Sequence, residues 1–81
     1  MRKLQRLIIR ERGADNYYSN VSEESIYRIA HNCGRDEIAD AYILLKECKS
    51  ELATVPEWDG DTQDDIWRTM ILLQAILDKC K

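Results

Sequence analysis

The sequence predicts an all-α protein, a small bundle of three to four helices built on an antiparallel helical hairpin of residues 36–53 and 62–80. Three observations carry that prediction. One proline and three glycines in 81 residues leave few breakers, so helices can run long. In the segment 61–80, Ile66, Met70, Leu73, Leu77 and Cys80 recur at spacings of 4, 3, 4 and 3, which is one stripe of an α-helix. In 36–53, Ile38, Ala41, Leu45, Cys48 and Leu52 repeat at 3, 4, 3 and 4, a matching seam for the first.

The final helix is apolar well beyond that stripe. Trp67, Ile71 and Ala75 flank it on one side and Leu72 and Ile76 on the other, leaving Arg68, Thr69, Gln74, Asp78 and Lys79 for water. A helix of that girth needs cover from more than one direction. An isolated chain is expected to leave Leu72 or Ile76 partly wet, so these two are the predicted self-association residues of a homodimer.

Along the chain, 2–12 reads as a short helix with Leu4, Leu7 and Ile8 on one face; it is too short to persist unless that face docks. Residues 13–20, GADNYYSN, are turn chemistry. Ser22 with Glu23 and Glu24 starts a helix, because a hydroxyl caps free N–H groups and carboxylates suit the positive end of the helix dipole. That helix carries Ile26, Ile29, Ala30 and Cys33 on one face, with Gly34 expected as a left-handed cap. The next helix opens at Asp36 and Glu37, and TVPEWDG breaks it at Pro56. Thr62 with Asp65 resembles a capping box for the last helix, and Trp58 is expected to pack over the open end of the hairpin.

Size and composition fit one domain, 1–81, with a small core. The apolar run Leu7–Ile9 is interrupted by Arg10 and is too short for a signal peptide or a membrane span, so a cytoplasmic protein without membrane association is expected. Three cysteines without a C-x-x-C pair indicate neither a disulfide framework nor a zinc knuckle; they read as reduced, small apolar residues. Asp59, Asp61, Asp64 and Asp65 fail as a calcium loop, since the positions that need glycine and a bidentate glutamate hold Asp64 and Met70. No cofactor or metal is expected. A single histidine, His31, off the apolar stripe and without an acid or nucleophile at a meaningful spacing, gives no catalytic constellation, so the chain does not read as an enzyme.

The charges are segregated although the net charge is only −3: residues 1–12 hold five bases and one acid, whereas 51–65 hold six acids and no base. With aromatic residues on loops and no catalytic chemistry, this points to a non-enzymatic protein–protein interaction module, acting as a regulator, adaptor or inhibitor. Small helix-rich chains of this style are frequent among phage and mobile-element proteins. The expected partner-binding residues are Tyr17, Tyr18, Trp58, Asp59, Asp61 and Asp64. The alternative is a small nucleic-acid-binding regulator that uses Arg2, Lys3, Arg6 and Arg10 of the first helix, or a degenerate helix-turn-helix at 22–47. The latter places Asp40 where that motif buries an apolar residue, and Asp36 and Glu37 where phosphates would sit.

Overall fold

The computed structural model describes residues 2–12 and 21–80, and among them the chain forms four α-helices: α1 (Lys3–Arg12), α2 (Glu23–His31), α3 (Arg35–Thr54) and α4 (Gly60–Lys79). Residues Tyr17 and Tyr18 lie outside the described residues. The helices close a ring: α1 packs on α2 and α3, and α4 packs on the same two, so α1 and α4 face each other across the core. The α3–α4 hairpin is the longest pair and sets the long axis of the molecule, whose extents are 37 × 24 × 22 Å.

Leu4, Ile8, Ile29, Leu73 and Ile76 are the largest fully buried side chains, drawn from α1, α2 and α4. α3 adds Leu44 and the small residues Ala41 and Cys48 at its innermost positions. α1 is the marginal helix that has to dock, and it does so by burying Leu4, Leu7 and Ile8. It carries no acid in its first turn. Asp40 of α3 supplies one instead, accepting from the Leu4 N–H at 3.3 Å and pairing with Arg2 at 3.6 Å. The Asp40 that breaks the helix-turn-helix pattern thus caps a neighbouring helix.

The termini of α2, α3 and α4 show which residues start and stop each helix. Ser22 caps α2, its Oγ accepting from the Ser25 N–H at 3.1 Å, and Ser25, the one buried polar residue among those described, also accepts from Arg28. Arg28 reaches Glu24 on α2 and Glu11 on α1, at 3.2 and 3.7 Å, and so laces the two helices together. Gly34 is not a left-handed cap: at φ −98° and ψ −168° it is extended backbone and already the N-cap of α3. α2 is closed one step earlier, by Asn32 and by the Cys33 N–H on the Ala30 carbonyl at 3.2 Å. The Gly34 N–H donates to Glu37 Oε2 at 2.9 Å, and a Cβ at Gly34 would press on that oxygen at 3.1 Å.

α4 begins two residues before the expected start. Asp59 is its N-cap, taking the Thr62 N–H on Oδ1 at 3.3 Å and the Thr62 hydroxyl on Oδ2 at 2.8 Å. Thr62 therefore donates to the cap rather than acting as one. A carboxylate reaches the free N–H groups and adds a favourable charge at the dipole's positive end, which a hydroxyl does not. Asp59→Ala is expected to cost about 1 kcal/mol, measured by urea unfolding, with Asp59→Asn retaining most of it.

Leu72 and Ile76 are sealed within a single chain, at 4% and 1% exposure, because α2 covers that flank of α4. The expectation that they await a second copy is corrected accordingly. The opposite flank is the wet one: Trp67 and Ile71 stand in solvent. Lys79, assigned to solvent by its sequence position, lies with Nζ 3.9 Å from the Tyr27 ring centroid and 3.5 Å from Glu23, fixing the end of α4 to α2. Among the described residues no helix is long and apolar enough to cross a membrane.

Candidate functional site

The hairpin connection between α3 and α4 gathers charge and aromatic surface at one end of the molecule. Val55 turns inward and is packed against the core, its N–H on the Leu52 carbonyl. The Pro56 carbonyl then accepts from both the Asp59 N–H and Gln63 Nε2, each at 3.0 Å, which closes the turn. With the turn held by backbone bonds and its inward position filled by Val55, Trp58 is left outside at 85% exposure. It does not pack over the hairpin end as the sequence suggests. An indole so exposed contributes little to folding and offers a large, rigid contact surface.

Around Trp58 the charge is of one sign. Glu57, Asp61, Asp64 and Asp65 are all exposed, and among the described residues none of them enters an ion pair. Asp59 is the exception in role, being held by its capping bonds. The acidic surface continues into a shallow cleft of about 360 Å³ between α1, α3 and α4, whose floor includes Leu44, Cys48 and Ile66 and whose rim carries Glu47, Glu51 and Asp65. Among the described residues no group of three or more His, Cys, Asp or Glu side chains is arranged to hold a metal ion.

The bases at the start of α1 are arranged in the opposite way. Arg2 bridges Asp40 and Glu47, at 3.6 and 3.4 Å, and Lys3 bonds Asp36 at 2.7 Å. The Lys3–Asp36 hydrogen bond, reinforced by opposite charge, raises the lysine pKa and lowers that of the carboxyl, so both stay ionised through the neutral range. Arg10 lies 3.5 Å from Glu11. Of the four bases proposed for nucleic acid, Arg6 alone is exposed without an ion pair among the described residues.

The cysteines are all free thiols, Cys48 buried and Cys33 and Cys80 partly so. Burial, with Cys80 alongside, pushes the Cys33 thiol up from 9.0 to about 12. The folded chain thus holds a proton that the unfolded chain releases above pH 9. Cys33 contributes stability that is complete below that pH and is lost as pH rises towards 12. A steeper fall in melting temperature between pH 8.5 and pH 10.5 is expected for the wild type than for Cys33→Ala, measured side by side.

Tyr27, Tyr42, Trp67 and Ile71 also stand exposed, and sequence reasoning did not assign a surface role to any of them. Trp67 and Ile71 are 51% and 65% exposed although α4 packs on both α2 and α3. Comparison with protein-family models, with curated proteins and with solved structures found no match to this chain.

Proposed function

We propose that the chain is a non-enzymatic protein–protein interaction module that docks the tip of its α3–α4 hairpin on a basic surface of a protein partner. The observation that carries this reading is an asymmetry: the bases Arg2 and Lys3 are paired internally with α3, while Glu57, Asp61, Asp64 and Asp65 at the hairpin tip enter no ion pair among the described residues, around an 85% exposed tryptophan. Unpaired charge of one sign steers association, and a central aromatic supplies the contact area that holds it. A chain that covers a basic surface, including one that otherwise holds nucleic acid, acts as a regulator or inhibitor by occlusion.

The occupant of that surface is a different protein rather than a second copy. Two tips repel each other, and the basic helix α1 that could receive a tip has Arg2 and Lys3 engaged by α3. Dimerisation through Leu72 and Ile76 would require the core to open. Direct nucleic-acid binding is disfavoured by the same pairing, and a helix-turn-helix role by Asp40, which is engaged in capping α1.

The test is a fluorescence titration of the full chain with a lysine- and arginine-rich polypeptide and, separately, with duplex DNA at the same salt. A blue shift of Trp58 emission with the polypeptide, weakening as salt rises and absent with DNA, supports the reading. Binding of DNA that is lost when Arg6 and Arg10 are replaced by Gln would overturn it in favour of a nucleic-acid-binding regulator.

A further inference from the structure

Two of the three cysteines meet where α2 and α4 both end. Cys33 lies in the turn that closes α2, and Cys80 is the C-cap of α4. One oxygen holds both residues: the Ala30 carbonyl accepts from the Cys33 N–H at 3.2 Å and from Cys80 Sγ at 3.7 Å. The Cys80 thiol lies near enough to Cys33 to add, after burial, to the upward shift of its pKa. Both thiols are partly exposed, whereas Cys48 is buried on α3 and belongs to the core. The packing of α2 on α4 thus brings together two thiols that lie 47 residues apart in the sequence, within reach of small molecules.

We propose that Cys33 and Cys80 form a dithiol site that reacts with small-molecule disulfides to give an intramolecular disulfide tying α2 to α4. In the first step the Cys80 thiol gives up its proton and the sulfur attacks one sulfur of the small disulfide. The S–S bond of that reagent breaks, one thiolate leaves and takes a proton, and Cys80 carries a mixed disulfide. Cys33 then loses its proton and attacks Cys80 Sγ, expelling the second small thiol. Two protein thiols are oxidised by two electrons, and one small disulfide is reduced to two thiols. Burial keeps Cys33 protonated, which assigns it the second attack, where the partner sulfur is already held beside it. The site is at the far end of α4 from the hairpin tip, roughly 30 Å along a helix of this length, and is independent of the docking reading.

The test is incubation of the reduced full chain with oxidised glutathione, followed by intact mass, a non-reducing digest and a melting curve. The expected product has lost two hydrogens, links Cys33 to Cys80 and leaves Cys48 open to alkylation under denaturing conditions. Its melting temperature rises by about 10 °C or more, since the bond closes a long loop in the unfolded chain, and dithiothreitol reverses the rise. Cys48→Ser forms the same link, and Cys33→Ser stops with one glutathione on Cys80. A covalent dimer, glutathione retained on both Cys33 and Cys80, or an unchanged mass overturns the proposal.

Discussion

Ile76→Ala is expected to destabilise the fold severely and Ile71→Ala to leave it nearly unchanged, although both remove the same atoms from the same helix. Ile76 is 1% exposed and lies in the core with Leu4, Ile8, Ile29 and Leu73; Ile71 is 65% exposed. Emptying a buried isoleucine to alanine costs about 2–5 kcal/mol through lost transfer energy and the cavity left behind. A chain of this size has roughly 4–12 kcal/mol of stability in all, so the substitution removes a large share of it. The melting temperature of Ile76→Ala should fall by about 10–25 °C, and that of Ile71→Ala should stay within a few degrees of wild type. Equal losses would mean that α4 is covered on both flanks, as in an obligate dimer, and that the ring of four helices is not the state in solution.

The second large effect is on binding. Replacing Asp61, Asp64 and Asp65 by lysine reverses the sign of the hairpin tip while sparing the Asp59 cap, and is expected to weaken affinity for a basic polypeptide at least about tenfold. Trp58→Ala should cost about tenfold on its own, as the loss of a central aromatic contact. Neither change removes a buried side chain, so circular dichroism spectra should match wild type. Melting temperatures should also stay close, apart from a small loss in the lysine variant, which puts positive charge near the start of α4. Unaltered affinity in both variants, with the fold intact, would move the working surface elsewhere.

Much of the fold was legible because it rests on periodicity. The two seams, Ile38 to Leu52 and Ile66 to Cys80, pair as the α3–α4 hairpin, and Ser22 caps α2. What was not legible depends on choices between near-equal local options. Asp59 and Thr62 are both good caps, and the carboxylate wins by reaching the N–H and the hydroxyl of Thr62 together. Gly34 could have ended α2 in a left-handed conformation, but Asn32 and Cys33 complete that end first. The two flanks of α4 are similarly apolar, and only the position of α2 decides that Leu72 and Ile76 go inside while Trp67 and Ile71 stay out.

The surface is legible only in part. The acids of the hairpin tip are exposed as their composition suggests, but the bases of α1 look available in the sequence and are engaged in the structure. Pairing across 33 to 45 residues of sequence, Lys3 with Asp36 and Arg2 with Glu47, leaves no local trace. Trp58 departs from its expected place for a related reason: a loop tryptophan usually folds back, and here the two bonds to the Pro56 carbonyl close the turn without it.

The most direct test of docking through the hairpin tip is a nuclear magnetic resonance titration of the labelled full chain with the basic polypeptide, following each backbone amide and the indole N–H of Trp58 and Trp67. The expected result is a set of shifts confined to residues 56–66 and the Trp58 indole, with α1 unmoved. Shifts centred on Arg2 to Arg10, or spread evenly over the chain, would contradict it.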